Sequence, residues 1–182
     1  MIDIKNIFSD VKYLHLDRHE DDRGFFSEIY KEREFRKVGI ENQFVQQNLS
    51  FSKKRNTLRG MHFQSKPFAQ SKMIKVLKGS IFDVFIDLRK NSKDFQSFGY
   101  YNLSENDGWL FIPQGFAHGF LTTSDNTLKT YKVDNYFDKS SEKGIIWNDD
   151  FYNIPWPKKS ELIISDKDLL LPSWEKIADE SF

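Results

Sequence analysis

Residues 58–88 read "LRGMHFQSKPFAQSKMIKVLKGSIFDVFIDL", and three short runs inside them decide the fold class. "LRGMHFQ" (58–64), "KMIKVLK" (72–78) and "SIFDVFIDL" (80–88) alternate and are separated by Ser, Pro, Gln or Gly. Their β-branched and aromatic residues predict strands. In the third run Phe82, Val84, Ile86 and Leu88 share one face, while Ile81, Asp83, Phe85 and Asp87 share the other. An apolar face opposite a carboxylate-bearing one suits a sheet lining a polar cavity. A solvated outer face accounts for the two aspartates equally well.

The same signals recur on both sides. Further strands are expected at 11–16, 24–30, 44–50, 98–104, 108–113, 119–123 and 127–137, with a helix at 31–39 and another near "SDKDLLL" (165–171). Many short strands with Gly, Pro, Asn, Asp and Ser turns predict an antiparallel sandwich or barrel. No linker, repeat or low-complexity tract divides residues 1–182, so one domain is expected.

Composition narrows the function. The 182 residues carry 27 basic and 27 acidic side chains, which gives no reason to expect a nucleic-acid groove or an anionic membrane surface. No apolar run reaches about 18 residues, so no spanning helix is expected. The opening "MIDIKNIFSDVKYL" lacks a signal-peptide pattern, and a cytoplasmic location is expected. Cysteine is absent, which excludes disulfides, thiol nucleophiles and thiolate-bound zinc. Aromatic residues make up 16%, 18 of them Phe, and serve mainly as core.

Polar residues interrupt these strands in telling places. Lys72 shares a face with Ile74 and Val76; it either lays its stem along a rim or puts a cation into a pocket. His62 shares a face with Leu58, Gly60 and Gln64, either as a satisfied structural imidazole or as a functional one. Gly60 beside it removes bulk, as expected where another molecule approaches the backbone. Arg59 has the opposite parity, so it can meet the same ligand as His62 only if the strand bends or Arg59 sits at a mouth. His118 lies in "IPQGFAHGFLTTS" between two Phe residues. Tyr131 shares a face with Val133 and, if the strand persists, with Phe137; a tyrosine pointing inward needs a hydrogen-bond partner or a task. The four histidines are scattered, with no His-x-His or His-x-x-x-His pair, so no metal site is expected. No glycine-rich phosphate loop is present; Arg, Lys and Gln side chains would have to hold a diphosphate.

Ten ordered motifs span nearly the whole chain: "DDRGFFSE" (21–28), "FVQQNLSFS" (44–52), "LRGMHFQ" (58–64), "AQSKMIKVLKG" (69–79), "DVFIDLR" (83–89), "IPQGFAHGF" (112–120), "YKVDNYF" (131–137), "EKGIIWNDD" (142–150), "IPWP" (154–157) and "SDKD" (165–168). Together they resemble the dTDP-4-dehydrorhamnose 3,5-epimerase family of nucleotide-sugar epimerases. The resemblance implies a mostly β, cupin-type double-stranded β-helix or jelly roll with a few short helices. It also implies a strand-exchanged homodimer that uses no metal or cofactor, and a nucleoside-diphosphate 4-keto-6-deoxyhexose substrate in deoxysugar and cell-surface polysaccharide biosynthesis. The implied catalytic set is His62 as base, Asp168 orienting it, Lys72 facing the enolate oxygen and Tyr131 as proton donor. Imidazole suits the first role because it titrates near neutrality. Arg23, Glu28, Gln46, Asn48 and Arg59 match nucleotide and diphosphate contacts, and Phe26 matches an aromatic lent to the partner's base-binding pocket. His118, Glu142 and Lys167 match further substrate contacts.

Two positions depart from the pattern. Asn56 stands where a glycine is common, and Asn tolerates the left-handed conformation. Phe137 stands where the double epimerases usually carry a tyrosine, with Tyr136 one residue earlier, which bears on substrate range or product. Within the family, the alternative is a single-centre epimerase of a dTDP-, CDP-, GDP- or UDP-linked sugar. Outside it stand a metal-dependent cupin and a non-catalytic sugar-binding module.

Overall fold

The computed structural model describes residues 2–158, 160–178 and 182. It is built mainly of strands: β1 (Asp3–Phe8), β2 (Val11–His15), β3 (His19–Asp21), β4 (Gly24–Phe26), β5 (Gln46–Ser52), β6 (Leu58–Gln64), β7 (Lys72–Lys78), β8 (Ser80–Asp87), β9 (Phe98–Ser104), β10 (Trp109–Ile112), β11 (Phe116–Thr122), β12 (Thr127–Val133) and β13 (Glu142–Gly144). Three short helices complete it: α1 (Glu32–Lys37), α2 (Asp166–Leu169) and α3 (Trp174–Ile177).

Two antiparallel sheets face each other. One runs β1-β2-β10-β7-β12-β5, the other β13-β6-β11-β8-β9, and β3 and β4 form a separate hairpin. Strands β7 and β8, adjacent in sequence, fall in different sheets. Ile74, Val76, Leu110 and Ile112 from the first sheet meet Ile81, Phe85, Leu103, Phe116 and Phe120 from the second. Burying each such side chain contributes about 1.5–3 kcal/mol.

Strand β8 resolves the ambiguity of its two faces. Ile81, Asp83, Phe85 and Asp87 point into the space between the sheets, and both aspartates are fully buried. The all-apolar face of Phe82, Val84 and Ile86 is not exposed either. It packs under the C-terminal segment through Ile145, Ile154, Trp156 and Trp174. Asp87 is held by Arg89, whose Nη2 donates at 2.6 Å, and by Ser92 Oγ at 2.6 Å. Of the two readings of this strand, the solvated face is therefore absent, because a second layer covers the sheet. Helix α1 closes the outer side of the other sheet by burying Phe35 against Leu14, Met73, Trp109 and Phe111. Its Glu32 and Glu34 lie in the first turn and Arg36 and Lys37 in the last, matching the helix dipole.

Several boundaries differ from expectation. Strand β12 stops at Val133 and not at 137, because the Asp134 side chain takes the Ser71 N–H at 2.6 Å and the Asn42 amide at 2.8 Å. The run 24–30 forms strand only over Gly24–Phe26, paired with β3. Strand β1 was not foreseen: it is an edge strand whose first four residues are exposed, so it shows no hydrophobic alternation. Strand β13 is three residues long and was also missed. Asn56 adopts φ 61°, the left-handed conformation expected of it.

Candidate active site

A cavity of about 320 Å³ lies between the two sheets, and Arg59, His62, Lys72, His118, Tyr131, Lys167 and Asp168 all contribute to its lining. Strand β6 supplies Arg59 and His62 despite their opposite parity. The reason is a bulge. His62 pairs with His118 and Arg59 with Phe120, so β6 carries one residue more than β11 across this interval. Gly60 occupies the bulge at φ +120°. A Cβ there would sit 2.5 Å from Gly119 Cα and 2.8 Å from His118 O. The close approach that requires this glycine is that of a neighbouring strand, and not of a ligand.

Asp168 reaches the bulge from α2. Ser165 caps that helix by accepting the Asp168 N–H at 3.2 Å, so "SDKD" fixes the carboxylate locally. One oxygen of Asp168 accepts the Gly60 N–H at 3.1 Å, and the other lies 2.9 Å from His62 Nε2. Burial alone would raise this carboxyl, but the His62 and Gly60 hydrogen bonds outweigh it and hold the pKa below the usual carboxylate range. An ionised carboxylate only accepts, so Nε2 carries the proton and the lone pair of Nδ1 is free.

The facing sheet supplies the complementary groups. Tyr131 lies on β12, and burial raises its hydroxyl. Lys72 lies on β7 and donates to the backbone carbonyl of His62 at 3.1 Å, which ties cation and base together across the cavity. Burial pushes Lys72 down to about 8, while Asp83 and Glu142 pull it back up. His118 is buried and its Nε2 lies 2.9 Å from both Asp83 oxygens. Burial lowers His118 to about 4, so it is neutral at pH 7.

The other expected residues divide into two groups. Glu142 pairs with Lys167 at 2.6 Å. Gln46 and Asn48 are joined by a 2.9 Å hydrogen bond and share a strand face with Ser50, a cavity residue. Arg23, Phe26 and Glu28 lie elsewhere. Arg23 pairs with Asp21 at the hairpin tip, Phe26 is 66% exposed, and Glu28 pairs with Lys31. Phe137 also lies outside the cavity wall. With β12 finished at Val133, strand parity no longer relates Phe137 to Tyr131, and both Tyr136 and Phe137 are exposed. The Phe137 N–H donates to Gln46 Oε1 at 3.1 Å, and the adjoining segment is clamped by Gln64, which donates to Tyr136 O and accepts from Asp138 N–H.

Sequence reasoning assigned no role to Lys129, Phe120, Ser50 and Ser165, and placed Asp83 and Gln64 only by strand face. Lys129 had a legible signal, being a lysine two residues from Tyr131 on the same strand face, as Lys72 is beside Ile74. Asp83 was legible only as a carboxylate on a strand face suited to a polar cavity. Among the described residues, no group of three or more His, Asp or Glu converges as a metal site. No helix there is long and apolar enough to cross a membrane.

The arrangement places a base with a free imidazole nitrogen on one wall, and a phenol and an ammonium on the other. That suits removal of a proton from one side of a small molecule and its return to the other.

Comparison with known proteins agrees. Residues 5–176 match the family model described as dTDP-4-dehydrorhamnose 3,5-epimerase. The chain is similar to the enzyme of that name from Salmonella typhimurium, at 44% identity over 174 residues covering 94% of each chain. It is also similar to the solved Bacillus anthracis structure with TDP and PPi bound, at 43% identity, covering 95% and 99% of the two chains with a TM-score of 0.92. The Legionella pneumophila structure in complex with dTDP-4-keto-L-rhamnose is similar at 34% identity, covering 100% and 97%, with a TM-score of 0.93.

Proposed function

The chain belongs to the dTDP-4-dehydrorhamnose 3,5-epimerase family, and from that premise we propose how its residues perform the reaction. The protein is an isomerase that converts dTDP-4-dehydro-6-deoxy-D-glucose to dTDP-4-dehydro-L-rhamnose by inverting C3 and C5. The fold is the family's β jelly roll.

The 4-keto group acidifies the C–H bonds on both neighbouring carbons. His62 Nδ1 takes one of these protons, with Asp168 stabilising the imidazolium through Nε2. The electron pair moves onto the keto oxygen, where the Lys72 ammonium offsets the charge. Tyr131 returns a proton to the opposite face and is reprotonated from solvent, while His62 gives up its proton to solvent, so that the centre inverts with no net gain or loss of atoms. The same steps follow at the second carbon. The observation that carries this reading is the placement of His62 and Tyr131 on opposing sheets, with Lys72 bonded to the backbone of His62.

Arg59, Gln46, Asn48, His118, Glu142 and Lys167 hold the nucleotide sugar from the walls and rim. Arginine suits the diphosphate because its planar fork donates in pairs. Arg23, Phe26 and Glu28 act in the second subunit of a homodimer. Two features support that assembly: β5 is a sheet edge, and it exposes Leu49 and Phe51. The enzyme works in the cytoplasm, supplying deoxysugar for cell-surface polysaccharide.

Incubation with dTDP-4-keto-6-deoxyglucose in heavy water tests the function. Deuterium is expected at both C3 and C5. Exchange at one carbon only, after prolonged incubation, would leave a single-centre epimerase; no exchange would remove the reading.

A further inference from the structure

The mechanism above leaves one buried cation in the cavity without a task. Lys129 is only 4% exposed, yet it lines the cavity. It lies on β12, where Val133 is opposite Lys72, Tyr131 opposite Ile74, and Lys129 opposite Val76. Lys72 and Lys129 are therefore anchored on either side of Tyr131 along the sheet. The Lys129 Nζ lies 3.7 Å from the ring centroid of Phe120 and 5.1 Å from that of Tyr131. The partners seen around its ammonium are these two rings and the charges of the cavity wall.

Such a placement is costly for a purely structural residue. Burying an ammonium is strongly unfavourable unless it is well paired, and a Leu or Met would fill the same space without that cost. The charges that surround it are Asp83 from β8, with Lys72, Arg59 and His118 from β7, β6 and β11. Burial pushes Lys129 down to about 7; Asp83 favours the charged form, while Lys72 and Arg59 oppose it. Asp83, the carboxylate that acts on it, is already engaged at 2.9 Å by His118. Because Lys129 lines the cavity, a ligand bound there can bring it a further acceptor. A sugar ring offers such acceptors in its keto and hydroxyl oxygens, and the neighbouring Tyr131 puts Lys129 beside the reacting part of the ligand.

We propose that Lys129 is a further substrate-contacting residue of this site, donating to an oxygen of the 4-keto sugar on the far side of Tyr131 from Lys72. With a cation on each side of the phenol, the hexose is gripped at two oxygens and the carbon between them is presented to His62. This role rests on the epimerase reading. It adds a contact with the sugar, and none with the nucleotide.

Lys129→Met tests it, because Met keeps the stem and removes the charge. A hydrogen bond from a charged donor gives an expected loss of about 10- to 100-fold in kcat/KM for C–H exchange. Affinity for dTDP alone should stay within about twofold of the parent, and the variant should melt no lower than the parent, since a buried charge is lost. Exchange within twofold of the parent overturns the proposal. So does an equal loss of dTDP affinity and exchange, which would mark general damage. Should the Met variant not fold, Lys129→Gln is read by the same criteria. A parent enzyme without exchange would refute the epimerase reading itself, whereas an active parent with an equally active variant refutes only the role of Lys129.

Discussion

Replacing Asp168 by Asn exchanges an oxygen for an amide nitrogen and tests the dyad at its hinge. Asn keeps an acceptor for the Gly60 N–H, which Asp168 takes at 3.1 Å, so the bulge and the α2 cap should survive. What changes is the contact 2.9 Å from His62 Nε2. The new amide donates there, so Nε2 must accept and the ring proton moves to Nδ1. The nitrogen facing the sugar is then blocked. The imidazolium formed after proton abstraction also loses its counter-charge. At about 4 Å between charge centres and an effective dielectric near 20, that loss is roughly 4 kcal/mol, or about a thousandfold in rate. The Asp-to-Asn exchange in a Ser-His-Asp triad costs about 10⁴ in kcat for the same tautomer reason. The expected result is a loss of 10³- to 10⁴-fold in deuterium incorporation, measured by mass spectrometry, with dTDP affinity by calorimetry and the melting temperature nearly unchanged. Exchange within about fivefold of the parent in a folded variant would refute both the tautomer assignment and the role of His62 as base.

The remaining predictions follow from the same geometry. Lys72→Met should lower turnover by about 10²- to 10³-fold, the usual effect of removing one oxyanion stabiliser, and turnover near the parent rate would return Lys72 to a structural role. Light scattering at micromolar concentration should give the mass of a dimer, and Phe26→Ala should weaken nucleotide binding although Phe26 lies outside its own protomer's cavity; a fully active monomer would exclude the assembly. His118, held near 4 by burial, binds its proton more readily in the unfolded chain. The stability that this group contributes should therefore be fully present above about pH 6.5 and be lost as pH falls towards 4. Denaturant titrations of His118→Gln should show a shallower slope in that window, and an unchanged slope would mean that other groups cause it.

The fold was legible wherever strands alternate. The three runs of residues 58–88 became β6, β7 and β8 with nearly their expected bounds. What the sequence could not reveal was which face of β8 would be covered. Both are, because a segment more than 50 residues downstream brings Ile145, Ile154 and Trp156 onto the apolar side. That contact is set by tertiary packing and leaves no trace in local periodicity. Strand β1 was missed for the opposite reason. An edge strand with an exposed first half has no apolar face to declare it.

The site itself was legible by residue type and illegible by direction. Period-two parity separated Arg59 from His62 and joined Tyr131 to Phe137, and the structure reverses both statements. The first reversal comes from one extra residue in β6, the second from the side chain of Asp134 taking over where the β12 ladder ends. These two irregularities make the cavity. Were β6 regular, either Arg59 or His62 would point into the packed layer beneath Ile145 and Trp156. Where β12 ends, the Asp134 side chain takes the Ser71 N–H at 2.6 Å, immediately before Lys72 opens β7. Sheet order thus supplies the walls, while its local failure supplies the convergence of base and cation. For that reason Gly60 and Asp134, neither of which faces the sugar, constrain the chemistry: one sets which side chains share the cavity, and the other sets where the strand carrying Tyr131 must stop.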